Sequence, residues 1–219
     1  MNSLIFDLDG TLVNTIGDIA LSMNRALEAH GFKALPTEAY PPLVGWGIKR
    51  LAYNALPEGA RFDAMVEAVS YDALDYYAQV PLRYSLPYPG IEALLEKLKQ
   101  RGYRLAILTN KPNMVAQAVV AGLFPQIPFV LVRGDVAGEP RKPAPALTFN
   151  VIARMGATAS GTLFVGDSAV DVETAHGVSC PVVGVSWGFR GREELESSGA
   201  DYIIDHPELL WEILDSLSL

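Results

Sequence analysis

Two carboxylates follow an apolar run near the N-terminus, and their spacing could do chemistry. The run Leu4–Phe6 precedes Asp7, and Asp9 comes two positions later. Such a run is typical of a strand buried on both faces of a parallel sheet. Side chains two apart on a strand point the same way, so these carboxylates would repel each other and resist desolvation unless a cation joined them. The pattern predicts an active site here; an acidic turn after a strand is the alternative.

Polar residues also follow two later apolar runs. Thr109 and Asn110 follow one predicted strand, and Asp167 follows another. Parallel strands bring their carboxyl ends to one edge of a sheet, so we expect these residues to meet the acidic pair. Lys142, in a proline-rich loop just before a predicted helix, is expected to join them.

This set of side chains suits phosphoryl transfer. Asp7 and Asp167 offer the hard oxygen ligands that Mg²⁺ prefers. The ion and Lys142 would neutralise the phosphoryl oxygens, so that a carboxylate can approach phosphorus. Thr109 would hydrogen-bond the phosphoryl group. One acid as nucleophile and a second as acid and base would complete a two-step hydrolysis.

Composition narrows the class of protein. Half of the 219 residues are hydrophobic and the net charge is -8, which suits one large domain or a domain with an insertion. The chain has no basic cluster, so neither nucleic acid nor a membrane is expected as a partner. Cys180 is the single cysteine, which excludes an intrachain disulfide. That cysteine usage, with no leader-like segment and no long apolar stretch, favours the cytoplasm.

The hydrophobic pattern divides the chain into two parts. Between residues 15 and 83 it predicts helices alone, in three stretches from Ile16 to Leu27, Leu43 to Leu56 and Phe62 to Val80. Thr15 is expected to cap the first of these helices. After residue 83, predicted strands and helices alternate, which is the pattern of a parallel sheet with right-handed crossovers. We therefore expect a doubly wound α/β core over 1–14 and 84–219, with an all-helical cap inserted at 15–83.

The elements of the predicted core can be placed approximately. Beyond the N-terminal strand, strands are expected at 103–108, 129–132, 162–165, 181–185 and 202–204. Helices are expected at 91–98, 114–121, 146–155, 170–176 and 208–217. The linkers near 14–16 and 81–88 would form a hinge between cap and core.

Four motifs, in this order, resemble those of the haloacid dehalogenase superfamily on its phosphatase side. They are Asp7-Leu8-Asp9-Gly10-Thr11, Thr109-Asn110-Lys111, Lys142-Pro143 and Gly166-Asp167-Ser168-Ala169-Val170-Asp171. The resemblance covers essentially the whole chain, including the cap after the first motif. It implies a Rossmann-like core, a helical cap, Mg²⁺ as cofactor and a small phosphorylated metabolite as substrate.

The resemblance also implies which residues react. Asp7 would be the nucleophile that forms an aspartyl-phosphate and would also ligate Mg²⁺. Asp9 would protonate the leaving group and then activate water, while its backbone carbonyl ligates the ion. The dehalogenases of the superfamily lack the second acid and need no metal, so Asp9 favours phosphate chemistry.

The remaining implied roles concern binding. Thr109, Asn110 and Lys142 would bind the phosphoryl group, and Lys142 would also orient the nucleophile. Asp167 would ligate Mg²⁺ directly, and Asp171 would act on it through bound water. Without the resemblance, Asp167 could instead cap a helix that begins near Ser168, and Asp171 could lie in the first turn of that helix, where an acid is favourable.

Within the superfamily, the phosphoglycolate phosphatases are the most similar group. Leu43–Gly47 is similar to their Val-Gly-x-Gly cap segment, and Pro181–Arg190 and Ala200–Ile204 also resemble that group. Gly45 and Gly47 would offer backbone N–H groups to a substrate carboxylate. Breaking the start of a helix is the alternative role for both glycines.

The substrate is the least determined feature. 2-Phosphoglycolate is expected, with sugar phosphates, pyrophosphate, a phosphoglucomutase-type transfer and a non-catalytic binding protein as alternatives. Asn14 stands where many relatives carry Asp, which bears on the substrate more than on the chemistry. Lys49 and Arg50 could serve the same anion or be solvated. The assembly could be a monomer or a homodimer.

Overall fold

A parallel sheet forms the centre of the computed structural model, which describes residues 2–217. The strands are β1 (Ser3–Phe6), β2 (Val13–Asn14), β3 (Leu86–Pro87), β4 (Arg104–Pro112), β5 (Leu131–Asp135), β6 (Thr162–Gly166), β7 (Val182–Val185) and β8 (Tyr202–Ile204). Six of them pair in parallel in the order β5-β4-β1-β6-β7-β8, and β2 and β3 form a separate antiparallel pair. The predicted doubly wound α/β core is confirmed.

Helices cover the sheet and fill the segment between β2 and β3. The helices are α1 (Ile16–Ala29), α2 (Ile48–Ala55), α3 (Asp63–Gln79), α4 (Ile91–Gln100), α5 (Asn113–Leu123), α6 (Pro145–Arg154), α7 (Ala169–His176), α8 (Gly191–Ser198) and α9 (Leu210–Ser216). Short 3₁₀ turns lie at Thr37–Ala39, Pro41–Leu43, Glu58–Ala60, Ala159–Gly161 and Pro207–Leu209. Among the described residues, no helix combines the length and apolarity needed to cross a membrane.

The first strand is apolar because both of its faces are covered. Leu4 and Phe6 belong to one apolar cluster, and Ile5 belongs to the cluster on the opposite face. From β1 the chain goes to β4 and β5 on one side and returns to β6, β7 and β8 on the other. The strand order thus reverses between β1 and β6, which is where doubly wound folds bind ligands.

The helices α1, α2 and α3 form the segment expected as a cap, and within residues 15–83 the structure contains no strand. Apolar residues of all three belong to one buried cluster, among them Met23, Leu51, Val69 and Ala73. The bounds 15–83 for the cap and 1–14 with 84–219 for the core remain a prediction. Residues 1, 218 and 219 of that core lie outside the described residues.

The linkers between these parts are held together. Val13 pairs with Pro87, and Asn14 pairs with Leu86. Asp18, in the first turn of α1, accepts hydrogen bonds from the Arg83, Tyr84 and Ser85 backbone N–H groups at 2.8 to 3.2 Å and from the Ser85 hydroxyl at 2.6 Å. A buried carboxylate thus fixes the second linker against the first helix.

Several predicted elements differ in extent. The strand expected at 103–108 continues to Pro112 because the polar residues after it stay extended. The strand expected at 129–132 begins at Leu131, since the Phe129 ring instead packs edge-on against Phe124. The helical stretch expected from Leu43 becomes regular only at Ile48, after glycines in the left-handed region.

Two local predictions miss. The helix α8 was not predicted because Leu195 is its one buried residue, which leaves no apolar period. Thr15 does not cap α1 with its side chain. The Asn14 side chain instead accepts the Ile16 N–H at 3.3 Å, and Thr15 bonds to Asp9.

Candidate active site

The carboxyl ends of β1 and β6 bring acids together. The Asp7 N–H donates to the Val165 carbonyl at 2.9 Å, which continues the ladder of β1 with β6. Asp167 directly follows β6, and Asp171 lies in the first turn of α7. Asp7, Asp167 and Asp171 are buried, and each offers a carboxylate oxygen within 4.8 Å of the others.

Lys142 is the cation within this cluster. Its Nζ donates to Oδ1 of Asp171 at 2.7 Å and lies 2.9 Å from Oδ1 of Asp7. At that distance the ammonium of Lys142 and the carboxylate of Asp7 form a buried ion pair. Burial acts to lower the pKa of Lys142, but the carboxylates of Asp171 and Asp7 outweigh it and raise that pKa. Lys142 therefore stays charged.

Ionisation of the buried acids Asp7 and Asp167 is unfavourable without a further cation. Burial raises the pKa of Asp7 to about 6, against the attraction of Lys142. Burial, with repulsion from Asp171, also raises the pKa of Asp167 well above its usual range. One ammonium cannot compensate three buried carboxylates, so the donor set fits a divalent metal ion.

Glycines leave no spare room around Asp167. A Cβ on Gly10, whose φ is +83°, would lie 2.2 Å from Oδ2 of Asp167, and a Cβ on Gly188 would lie 2.3 Å from its Cβ. The Phe189 N–H donates to the same Oδ2 at 2.7 Å. These contacts hold the Asp167 carboxylate beside Asp7.

Asp171 has both of its oxygens engaged. Oδ1 accepts from Lys142, while Oδ2 accepts from the Ser168 N–H at 3.1 Å and the Ser168 hydroxyl at 2.7 Å. Ser168 and Asp171 thus form a capping box that begins α7. Asp171 therefore lies in the first turn of a helix, which is the alternative that the sequence left open, and it also holds Lys142 directly.

Asp9 lies beside the cluster and is held by other groups. Its Oδ1 accepts from the Thr15 hydroxyl and from Nζ of Lys111, both at 2.8 Å. Its Oδ2 accepts no hydrogen bond from the described residues. That oxygen is therefore the one on which a proton can be carried.

Thr109 and Asn110 line the same site but differ in what they can bind. The Thr109 hydroxyl accepts from the Lys111 N–H at 3.3 Å, and its own proton remains available. The Asn110 amide donates to the carbonyls of Gly45 and Lys142, at 2.9 and 3.1 Å, and accepts the Lys142 N–H at 3.0 Å. The Asn110 side chain thus has no donor left for a phosphoryl group.

The cap segment with two glycines closes over these residues. Gly45 and Gly47 have φ values of +118° and +82°. Both line a cavity of about 60 Å³ together with the core acids, Thr109 and Lys142. Arg190, just before α8, holds the segment by donating to the Pro42 carbonyl at 3.0 Å and the Val44 carbonyl at 2.6 Å.

Two cap cations do not line this cavity. Lys49 pairs with Glu67 at 2.9 Å, and both side chains are exposed. The Arg50 guanidinium lies 5.0 Å from the centre of the Tyr53 ring and faces an outer cleft. Neither meets the core acids.

Sequence reasoning missed three residues of the site. They are Arg190, Lys111 and Tyr77, whose hydroxyl accepts a hydrogen bond from Nζ of Lys111. The motif Thr109-Asn110-Lys111 contained a signal for the lysine, but nothing in the periodicity of α3 separates Tyr77 from the residues that pack the cap. Burial and the charge of Asp9 raise the pKa of Tyr77, so this phenol stays neutral.

Fold and site together define a hydrolase, and the chain belongs to the haloacid dehalogenase-like hydrolase family, whose model matches residues 4–185. It is 34% identical over 215 residues to the phosphoglycolate phosphatase of Haemophilus influenzae strain 86-028NP, covering 95% of this chain and 96% of that one. It is 37% identical over 210 residues to the phosphoglycolate phosphatase of Rhodospirillum rubrum, covering 93% and 86%.

Solved structures agree with this assignment. The crystal structure of a protein from Lactobacillus delbrueckii subsp. bulgaricus, described as a putative phosphoglycolate phosphatase, superposes on this chain with a TM-score of 0.90 at 30% identity. The superposition covers 97% of this chain and 98% of that one. The protein is therefore a phosphatase of the haloacid dehalogenase type, similar to phosphoglycolate phosphatases, and it acts on a small phosphorylated substrate.

Proposed function

We propose that this phosphatase is a Mg²⁺-dependent phosphomonoesterase that works through an aspartyl-phosphate on Asp7, with 2-phosphoglycolate as its substrate. The observation that carries the proposal is the position of Asp7. Its carboxylate lies among Lys142, Asp167 and Asp171, with Oδ1 paired to the Lys142 ammonium at 2.9 Å. A carboxylate so placed is available to a metal ion or to phosphorus.

Asp7, Asp167 and the backbone carbonyl of Asp9 would hold Mg²⁺. When bound, the ion would supply positive charge against the phosphoryl oxygens and the attacking carboxylate. Asp171 fixes Lys142 at 2.7 Å and so aims a second positive charge at the same place. Lys142 and the Thr109 hydroxyl would bind the phosphoryl oxygens.

The first step transfers the phosphoryl group to Asp7. A carboxylate oxygen of Asp7 forms a bond to phosphorus as the bond from phosphorus to the ester oxygen breaks. Asp9 gives the proton on Oδ2 to that ester oxygen, and the alcohol leaves. Thr15 and Lys111 hold Oδ1 of Asp9, which keeps Oδ2 turned to the cavity.

The second step releases phosphate. A water molecule attacks the phosphorus of the aspartyl-phosphate, and Asp9, now ionised, takes its proton on Oδ2. The bond between phosphorus and Asp7 breaks, which restores both carboxyl groups to their starting forms. Closure of the cap excludes bulk water and so limits competing hydrolysis.

The size of the cavity favours a small leaving group. The cavity measures about 60 Å³, and the cap contributes apolar side chains to its lining, including Ile19, Met23 and Leu51. A two-carbon acid fits this space with less opening of the cap than a hexose does. The relatives named phosphoglycolate phosphatase point to the same substrate.

The test is a steady-state phosphate-release screen with Mg²⁺ over small phosphorylated acids, sugar phosphates and pyrophosphate. The proposal expects 2-phosphoglycolate to give the highest kcat/KM and the Asp7→Asn variant to be inactive on every compound. A higher kcat/KM on a sugar phosphate or on pyrophosphate would contradict the substrate. Isomerised product from glucose 1-phosphate would mean phosphoryl transfer to a sugar, and no release from any compound would favour a binding protein.

A further inference from the structure

Lys111 is a buried cation whose part in the two-step chemistry is limited to its hydrogen bond with Asp9. It lies near the end of β4, and its side chain is 1% exposed. Its Nζ donates to Oδ1 of Asp9 at 2.8 Å and to the Tyr77 hydroxyl, and it lies 4.3 Å from the centre of the Tyr77 ring. The ammonium of Lys111 therefore contacts both an acid of the core, Asp9, and a phenol of the cap, Tyr77.

The ammonium has capacity for one more acceptor. A lysine side chain carries three N–H donors, and two of them have acceptors in the described residues. Lys111 also lines the cavity. The third N–H is therefore available to a ligand that enters the cavity.

The position of Lys111 is on the leaving-group side of the site. Lys142, the cation on the phosphoryl side, is already paired with Asp171 and Asp7. The Arg190 guanidinium is bound to carbonyls of the cap. Lys111 is thus the cation of the cavity whose charge lies next to Asp9, the residue that would protonate the ester oxygen.

Position and charge indicate what the third donor binds. Lys111 lies beside the acid that would protonate the ester oxygen, and it lines the same cavity. A carboxylate on the leaving group would give this ammonium an anionic acceptor. In a two-carbon phosphorylated acid, the carboxylate carbon lies two bonds from the ester oxygen. Asp9 spans a similar gap with its own carboxyl group, since its Oδ1 contacts Lys111 and its Oδ2 would protonate that ester oxygen.

We propose that Lys111, set in place by the cap residue Tyr77, binds the carboxylate of the leaving group and selects phosphorylated acids over neutral phosphomonoesters. This inference rests on the proposed function, since it takes the substrate to be a small phosphorylated acid. It makes Lys111 a specificity-determining residue and makes recognition of the carboxylate depend on closure of the cap.

The experiment compares two substrates of equal length, 2-phosphoglycolate and 2-hydroxyethyl phosphate, in which CH₂OH replaces the carboxylate. The variant Lys111→Met keeps the length of the side chain and removes its charge. We expect kcat/KM of this variant to fall about 30-fold on 2-phosphoglycolate, the fold-change of one hydrogen bond between charged groups. On 2-hydroxyethyl phosphate we expect a clearly smaller fall, because that substrate loses only the support that Lys111 gives to Asp9.

Two further variants complete the design. Lys33→Met removes an exposed lysine of the cap and should leave both values unchanged. Tyr77→Phe removes the hydroxyl that accepts from Lys111 and should lower the preference for the carboxylate in the same direction but by less, about 5-fold, because the charge of Lys111 remains. If Lys111→Met does not fold, the change in carboxylate preference of Tyr77→Phe decides whether Lys111 binds the substrate carboxylate.

The outcomes separate the two proposals. A wild-type enzyme that does not prefer 2-phosphoglycolate contradicts the proposed substrate before any variant is made, and it removes the ligand assigned to Lys111. A wild-type enzyme with that preference, combined with equal losses on both substrates in Lys111→Met, overturns the role of Lys111 alone. In that case the lysine acts only on Asp9.

Discussion

The side-chain amide of Asn110 donates a hydrogen bond of 2.9 Å to the carbonyl of Gly45, which lies 65 residues earlier in the sequence. The same amide also bonds to the carbonyl of Lys142, and its oxygen accepts the Lys142 N–H. The end of β4 therefore joins the segment that contains Gly45 to the loop that carries Lys142. Asn110 is thus placed to couple the position of that segment to the position of Lys142.

The variant Asn110→Asp tests this coupling. A carboxylate has no donors, so the carbonyls of Gly45 and Lys142 would face a negative charge, which also repels the phosphoryl group. We expect kcat/KM to fall about 100-fold, because two buried acceptors lose their donor. Asn150→Asp, at an exposed position of α6, adds the same charge and should have no effect. Activity of Asn110→Asp within about 3-fold of wild type would argue against the coupling.

Arg190→Ala tests how firmly the core holds the cap. Arg190 donates to two cap carbonyls, and a lysine cannot reach both with one rigid fork. We expect kcat/KM to fall about 10-fold in Arg190→Ala, in keeping with the loss of charged hydrogen bonds. We expect Arg190→Lys to recover little of it.

Arg192→Ala is the matched control for that variant. Arg192 lies in the first turn of α8, two residues after Arg190, but pairs with Glu196 and Asp205 instead of the cap. Its loss should leave steady-state kinetics unchanged. Equal effects of Arg190→Ala and Arg192→Ala would mean that the cap is held by other contacts.

Asp18→Asn tests the hinge. The Asp18 carboxylate accepts from three successive backbone N–H groups and one hydroxyl, and an amide replaces one of its acceptor oxygens with a donor. We expect the free energy of unfolding to fall by about 2–3 kcal/mol, the cost of buried donors left unpaired. Asp63→Asn, an exposed acid in the first turn of α3, is the control and should change it by less than about 0.5 kcal/mol. Equal denaturation midpoints for Asp18→Asn and wild type would contradict this role.

The sequence predicted the core of the site because strand ends are a strong constraint. Asp7 and Asp167 follow continuous apolar runs, and parallel pairing of β1 with β6 leaves little choice about where they meet. The sequence could not predict contacts that join the cap to the core. Tyr77 and Arg190 lie in elements whose relative placement depends on packing over the whole chain, and no local pattern marks their partners.

The Thr15 and Gly45 predictions illustrate the same limit. Thr15 has the residue type of a helix cap, yet its hydroxyl bonds to Asp9, because tertiary contact outweighs a local preference. Gly45 and Gly47 line the cavity, but the contact that the structure records for Gly45 is made by its carbonyl. Binding of a substrate carboxylate by the backbone N–H groups of these glycines remains a prediction.

Metal removal should produce a pH-dependent change in stability. Burial raises the pKa of Asp7 to about 6, above the value of about 3.9 in an unfolded chain. At pH values between these two pKa values the folded chain binds more protons than the unfolded chain. The stability of the metal-free protein therefore falls as the pH rises. The raised pKa of Asp167 acts in the same direction.

Mg²⁺ should restore the stability that is lost as the pH rises, because ionised carboxylates ligate the ion and protonated carboxylates do not. We therefore expect thermal melts in EDTA to show a Tm that decreases from pH 4 towards pH 6. Added Mg²⁺ should raise the Tm more at pH 7.5 than at pH 5. A rise of equal size at both pH values would mean that the ion binds elsewhere.

In the proposed mechanism Asp7 takes the phosphoryl group and Asp9 then serves as base for its release. The variant Asp9→Asn, given p-nitrophenyl phosphate and Mg²⁺, tests both parts, because this leaving group needs no proton but hydrolysis of the intermediate still needs a base. We expect a burst of about one nitrophenol per enzyme, with the phosphoryl group found by mass spectrometry on Asp7. No burst from Asp9→Asn, a burst that persists in the double variant with Asp7→Asn, or phosphate on another residue would contradict it.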